Sequence, residues 1–371
     1  MLIGVPKEVK VLEHRVGLTP ASVREVVLHG HQAIVERGAG AGIGATDDDY
    51  ARAGASLADG ADEVYARAGL VVKVKEPQPP EIAMLRPGQA LFTYLHLAPD
   101  PEQTAGLIAS GAIAIAYETV TSPSGGLPLL APMSEVAGRM AVQAGAHHLE
   151  KAPGGKGVLL GGVPGVEAAR VVVLGGGVVG THAIAVALGV GAEVSVIDRS
   201  VDVLRRLAAQ FGPALRTVYS TRDAIEAQVA SADLVIGGVL IPGAQAPKLV
   251  TRAMIGRMER GSVVVDVAID QGGCFETSRP TTHADPVYET DGVIHYCVAN
   301  MPGGVPRTST HALNHATLPF VLALAGKGWK RALAEDPHLA NGLNVAAGQV
   351  TCRPVAEAQR HPYVEASRLV A

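Results

Sequence analysis

The chain has 371 residues, of which 48% are hydrophobic and 18% charged, and a formal net charge of −4. That length accommodates two domains of ordinary size, and that balance is globular rather than disordered. Aromatics are only 4% and the basic residues form no run, which argues against nucleic-acid binding.

The amino terminus, MLIGVPKEVK, carries charge early and holds no apolar core of signal length. Residues 171–197 are apolar but are broken by glycines and by Glu193, so no transmembrane helix is expected. Cys274, Cys297 and Cys352 share no CxxC spacing. A disulfide framework or a zinc site is therefore not expected, and a reducing, cytoplasmic setting fits.

In chain order, LIGVP reads as a strand, and Thr19-Pro20 offers an N-cap with proline at the first helical position. The helix ASVREVVLHG then runs to Gly30. The runs QAIVE, LVVKVKE, ALFTYLH and AIAIAYE read as further strands, mostly separated by helical segments. Such alternation predicts a parallel sheet with right-handed crossovers. Gly38, Gly40, Gly42 and Gly44 also follow a strand, but TDDDY comes next and its acids oppose phosphate, so that stretch reads as a loop. A long amphipathic helix is expected from Ala131, through PMSEVAGRMAVQAGAHHLEK, followed by the Gly-rich KAPGGKGVLLGGVPGVE. A second strand–helix series runs from Arg170 to about residue 300, and a final helix covers roughly 308–327. The expected fold is α/β, with two doubly wound Rossmann-like lobes and ligands in a cleft between them. One lobe, the substrate domain, comprises 1–130 with 308–371; the other, 131–307, binds the cofactor.

The stretch VVVLGGGVVGTHAIAVALGVGAEVSVID contains Gly175-x-Gly177-x-x-Gly180 between a β-branched strand and an apolar helix, and a second strand ends in Asp198. Each part has a physical role in holding a dinucleotide. Gly175 permits the tight turn, Gly177 lets backbone approach the pyrophosphate, and Gly180 lets helix pack on strand. The helix N-terminus offers N–H groups to the phosphates. Asp198 accepts hydrogen bonds from ribose hydroxyls and repels a 2′-phosphate, which favours NAD over NADP.

Four chemistry-bearing residues fall at or just after strand ends: Arg15 in EHRVGLTP, Lys75 in VVKVK, His96 in LFTYLH and Asp270 in IDQGGCFE. Together they supply cations for a carboxylate and groups for acid–base work. Each also has a plainer reading. Arg15 can be a solvated loop residue, Lys75 an ion-pair partner of Glu76, His96 a structural histidine and Asp270 a turn cap.

The segments GVPKEVK, EHRVGLTP, VKVKEP, TYLHLA, LPLLAPMSEVAGRMA, VDVAIDQGGCFETSRPTTH and YCVANMPGGVPRTST resemble the L-alanine dehydrogenases, and the similarity weakens only after about residue 345. The resemblance implies NAD-dependent interconversion of L-alanine with pyruvate and ammonium. It implies that Arg15 and Lys75 bind the substrate carboxylate and that His96 and Asp270 act as acid–base residues. Cofactor contacts are implied at Ser134, Val178, Val179, Asp198, Ser220, Val239, Leu240, Val267, Ala268, Ile269, Asp270 and Arg279. Val298, Ala299, Asn300 and Met301 would line the nicotinamide end. A homo-hexamer is also implied, with neither nucleic acid nor membrane as a partner. Two positions depart from the pattern. Val203 stands where some members have a basic residue, with Arg205 and Arg206 close by. Lys327 stands where some members have a histidine that shares a divalent metal with the residue matching Glu118, so no metal site is expected. The main alternatives are the NAD-binding component of a transhydrogenase, a saccharopine-type dehydrogenase and an NAD-sensing protein without turnover.

Overall fold

Short runs rich in Val, Ile, Leu and Ala, bounded by turns, become the strands of two sheets. In the computed structural model, which describes residues 1–239 and 246–370, the strands follow in chain order. They are β1 (Leu2–Val5), β2 (Gln32–Glu36), β3 (Ser56–Ala58), β4 (Leu70–Val72), β5 (Ala90–Thr93) and β6 (Ile113–Ala116). Then come β7 (Arg170–Leu174), β8 (Glu193–Asp198), β9 (Leu215–Tyr219), β10 (Leu234–Gly237) and β11 (Val263–Asp266). The last are β12 (Val287–Thr290), β13 (Val293–Tyr296), β14 (Leu343–Ala346) and β15 (Gln349–Val350).

The chain divides into two units, Met1–Met133 with Val305–Ala371, and Ser134–Gly304. Among the described residues the first unit holds a sheet in the order β15-β14-β6-β5-β4-β1-β2-β3, the second one in the order β12-β13-β11-β10-β7-β8-β9. β1 to β6 pair parallel, as do β7 to β11 with β13. In each unit the first strand lies between the second and the fourth, so the order reverses there, the position at which open α/β sheets take their ligands.

Both faces of each sheet are covered. In β4, Leu70 and Val72 join one core cluster and Val71 the other. In β11, Val263 and Val265 face one side and Val264 the opposite one. Burial on both faces explains why these strands read as unbroken apolar runs instead of alternating ones.

Local signals set several boundaries. Thr19 caps the helix Pro20–Leu28 by accepting from the Ser22 N–H, an interaction worth about 1 kcal/mol. The long helix spans Ala131–Leu149, and the helix after the second unit spans Pro306–Lys327. Two features differ from expectation. β4 and β5 stop at Val72 and Thr93, so Lys75 and His96 sit three residues past their strands rather than in them. The backbone leaves the ladder there because the N–H groups of Leu95 and His96 turn to Glu118. The carboxy-terminal segment adds β14 and β15 antiparallel to the first sheet. These two strands are too short to show a period.

Beneath the switch point of the first sheet lies a buried ion network. Lys73 is fully buried and meets Glu8 at 3.1 Å and Glu81 at 2.6 Å. Tyr65 donates its hydroxyl to Glu81, and Glu8 also accepts the Val74 N–H at 2.7 Å. Burial pushes the Glu8 carboxyl above its ordinary range, although Lys73 pulls against it. Removing the cation leaves two buried carboxylates without their counter-charge. Lys73→Ala is expected to lose about 3–5 kcal/mol of stability in denaturant unfolding. The triple variant K73M/E8Q/E81Q should recover most of that loss. A single variant within about 1 kcal/mol of the parent would contradict the account.

Candidate active site

In the second unit, β7 ends at Leu174 and the chain turns sharply. Gly175 has φ +93° and donates its N–H to the Ile197 carbonyl at 2.8 Å. Gly177 caps the helix Val178–Gly189. A Cβ on Gly180 would lie 1.8 Å from the Gly175 carbonyl oxygen, so helix and strand meet there at glycine distance only. A Cβ on Gly177 would meet nothing within 4 Å. Open space therefore borders the first N–H groups of the helix, where an anionic group is favoured. Gly176, the middle residue, is equally constrained: its Cβ would fall 2.5 Å from Val203 and 2.7 Å from Leu207.

Asp198 closes this turn. One carboxylate oxygen accepts the Gly176 N–H at 2.7 Å and the other the Ser200 N–H at 2.8 Å. A carboxylate has about four acceptor sites, so capacity remains for a diol. Arg206 donates Nη2 to the Gly176 carbonyl at 2.8 Å, while Arg205 pairs with Asp202. Val178 is exposed, Val179 half-buried, and Val239 follows β10 with its side chain against Gly175. Ser220 donates its N–H to the Asp198 carbonyl. Ser134 is half-buried in the long helix. Leu240 lies outside the described residues.

After β11, the segment Val267–Gln271 forms a short 3₁₀ helix carrying Ala268, Ile269 and the exposed Asp270. Its cap is Asp266, not Asp270. The buried Asp266 carboxylate accepts from the N–H groups of Ala268 (3.1 Å), Cys274 (2.9 Å) and Phe275 (3.4 Å), and from the Ser278 hydroxyl. Burial pushes this carboxyl above its ordinary range. Gly272 and Gly273 turn the chain back with φ +89° and +76°. Arg279 stacks its guanidinium 4.1 Å from the Tyr288 ring centre. Beyond β13, Val298 and Met301 are buried, Ala299 and Asn300 are half-buried, and Asn300 has φ +61°.

In the first unit, Arg15, Lys75 and His96 follow β1, β4 and β5, three adjacent strands. Arg15 is 2% exposed, not a solvated loop residue. Glu13 grips it with two bonds, Nε at 2.7 Å and Nη2 at 2.6 Å, and Nη1 lies 3.0 Å from the Met133 sulfur. Burial works against the guanidinium charge, but Glu13 outweighs it and holds the pKa above its ordinary value. The loop itself is clamped: Asn314 accepts the Thr19 N–H and donates to the Gly17 carbonyl. A Cβ on Gly17 would lie 2.3 Å from the Val72 carbonyl oxygen.

Lys75 lies 3.9 Å from Glu76, which also pairs with Lys10. The Lys75 carbonyl accepts from the Thr93 hydroxyl at 2.9 Å, tying this loop to the one that carries His96. His96 is no buried structural histidine, since 45% of its side chain is exposed. Its ring stacks on Tyr94 at 5.8 Å between centres, and Tyr94 in turn donates to the Leu129 carbonyl. His96 has φ +49°, a left-handed conformation that costs a residue with a Cβ roughly 1–2 kcal/mol. Lys327 bonds Glu335 at 2.7 Å, and the Glu118 oxygens accept the N–H groups of Leu95 and His96.

The family model for the amino-terminal domain of alanine dehydrogenase/PNT matches residues 4–137, and that for the carboxy-terminal domain matches 141–353. The chain belongs to the alanine dehydrogenase/PNT family. A curated alanine dehydrogenase from Halomonas elongata is 61% identical over 370 residues, 100% of each chain. The Bacillus subtilis alanine dehydrogenase is 53% identical, covering 99% of this chain and 97% of its own. A solved L-alanine dehydrogenase superposes with a TM-score of 0.94 at 52% identity, over 96% of this chain and 99% of its own. A transhydrogenase from Sinorhizobium meliloti gives a TM-score of 0.83 at 26% identity, over 95% and 100%.

Glu13, Asp266 and Asn314 carry the candidate residues without standing out in the sequence, and Glu118 stands out there only as the match of a metal-sharing position, not as a partner of His96. Glu13 could have been found from its spacing to Arg15. Glu118 and Asn314 act 22 and 295 residues from their partners and leave no local signal.

The two glycines make separable predictions. Gly177→Ala should leave the melting temperature unchanged, since its Cβ enters open space, yet weaken NADH binding at least about tenfold if pyrophosphate occupies that space. Gly180→Ala should destabilise the second unit itself. Calorimetry and fluorescence titration distinguish the two. Equal NADH affinity in Gly177→Ala and the parent would remove the pyrophosphate from this turn.

Proposed function

We propose that the protein catalyses the reversible, NAD-dependent oxidative deamination of L-alanine to pyruvate and ammonium. The observation that carries this reading is the full-length identity to alanine dehydrogenases, joined to the placement of Arg15, Lys75 and His96 at the ends of adjacent strands.

The residues of the second unit fit the cofactor. Gly175, Gly177 and Gly180 with Val178 and Val179 receive the pyrophosphate, and Asp198 receives the adenosine ribose. Ser134, Ser220, Val239, Leu240, Val267, Ala268, Ile269, Asp270 and Arg279, with Val298 to Met301, complete its binding residues. NAD, when bound, takes the hydride from the substrate Cα.

Arg15 and Lys75 hold the substrate carboxylate, and Glu13 fixes the guanidinium plane before substrate arrives. Water adds to the iminium carbon left by hydride loss. His96 takes a proton from that water, and His96 and Asp270 move protons from oxygen to nitrogen as the carbinolamine C–N bond breaks, releasing ammonia and leaving pyruvate. This set supports amino-acid turnover over an NAD-binding component or sensor that turns over nothing. Family membership and the reducing composition support a cytoplasmic homo-oligomer, a hexamer by resemblance. No helix among the described residues is long and apolar enough to cross a membrane.

The decisive assay mixes the protein with NADH, pyruvate and ammonium and follows nicotinamide absorbance. Oxidation requiring both pyruvate and ammonium is expected; oxidation with pyruvate alone would mean a hydroxy-acid dehydrogenase. His96→Ala should lower turnover about 10²–10⁴-fold, the usual contribution of a general acid–base group, with NADH binding retained. Because the Lys327 ammonium is hydrogen-bonded to Glu335 and is no metal ligand, dialysis against a chelator should leave turnover unchanged. A stoichiometric divalent ion that survives dialysis would overturn that expectation.

A further inference from the structure

We infer that Glu118 is the positioning residue for His96. This deepens the functional reading above and rests on His96 acting in the reaction.

The chain beyond β5 reaches His96 through a left-handed residue, φ +49°, in a segment that has already left the strand ladder. Two consecutive N–H groups there have lost their sheet partners, and both point at one carboxylate. Glu118 Oε1 accepts the His96 N–H at 2.6 Å and the Leu95 N–H at 3.2 Å, and Oε2 also approaches the Leu95 N–H at 3.2 Å. The same Oε1 lies 3.9 Å from His96 Nδ1. Converging N–H groups form a concavity suited to an anion, and here the anion is a side chain of the same unit. Glu118 comes from the short helix Tyr117–Thr119 directly after β6, the strand beside β5, so its reach is set by the sheet. Tyr94 supplies the other restraint, by stacking on the imidazole. Remove the carboxylate and nothing else described accepts the His96 N–H, so the backbone relaxes toward an ordinary φ and carries the ring with it. Glutamine can still present one oxygen to both N–H groups. Aspartate is a methylene too short to reach them from the same backbone.

The test uses the full-length protein with Glu118→Ala, Glu118→Asp and Glu118→Gln. Glu118→Ala and Glu118→Asp are expected to lose at least about tenfold in kcat while KM for alanine and the Kd for NADH stay within about twofold, because a misplaced catalytic group costs rate rather than binding. Glu118→Gln should recover most of kcat. Imidazole resonances of His96, assigned by their loss in His96→Ala, should move in Glu118→Ala and not in Glu118→Gln. This readout holds whether or not the protein turns over alanine, so failure of the functional reading is distinguishable from failure of this inference. Should Glu118→Ala not fold, Glu118→Asp carries both measurements. Parental kcat with unmoved His96 resonances in either variant would overturn the proposal, as would a uniform loss of rate, binding and melting temperature in all three.

Discussion

At the carboxyl end of a parallel strand the backbone runs out of ladder partners, and its N–H groups must find acceptors elsewhere. In this protein a carboxylate takes up that task in five of the loops that bear candidate residues. Glu8 accepts from Val74 ahead of Lys75, Glu13 from Arg15, and Glu118 from Leu95 and His96. Asp198 accepts from Gly176, and Asp266 from Ala268, Cys274 and Phe275. Such charge-assisted bonds are shorter and stronger than neutral ones. They also specify geometry. Asp198 at the end of β8 fixes the turn after β7, and Glu118 just past β6 fixes the loop after β5. Glu13 and Asp266 fix the loops that they stand in or begin. The loops that bear the candidate residues are thus held from strand ends and neighbouring loops without being part of the ladders.

This arrangement carries a cost that the fold must meet. Glu8, Glu13 and Asp266 are all buried, and burial opposes ionisation. Each is compensated differently: Glu8 by Lys73, Glu13 by Arg15, Asp266 by backbone dipoles and a hydroxyl. Where the compensation is a cation, that cation stays charged. Where it is only dipoles, the loop keeps its shape without a fixed counter-charge near Asp270. The first unit therefore holds its buried cations in ion pairs, whereas the second unit holds its turns with backbone N–H groups and glycine.

Much of this was legible in the sequence because it is local. The glycine spacing, the β-branched strand before it and the acid at the end of the next strand encode one continuous unit, and the structure keeps all of them. The Thr19 cap was legible for the same reason. What could not be read depends on partners far along the chain. The resemblance points to Glu118 only as the match of a metal-sharing position, and its bond to the His96 N–H follows only once β6 is placed beside β5. Asp266 lies inside an apolar run and is buried, whereas Asp270, shortly before two glycines, is exposed and more conspicuous. Lys75 shows the opposite case: its neighbour Glu76 suggested a simple surface pair, yet Glu76 is shared with Lys10 across 66 residues.

Val203 shows how the glycine turn is held without a basic side chain at that position. A cation there would sit one turn into the helix Val201–Phe211, over the glycine turn. Instead Val203 packs so closely that Gly176 could bear no Cβ. Three residues on, on the same helical face, Arg206 delivers a guanidinium to the Gly176 carbonyl. In a trans peptide the carbonyl and the following N–H point in opposite directions, so fixing that oxygen also fixes the Gly177 N–H on the other side. Asp198 holds the Gly176 N–H and Arg206 its carbonyl, and the turn is clamped at both ends of one residue. The guanidinium therefore acts from Arg206, one turn beyond Val203, and fixes the backbone of the glycine turn from outside it.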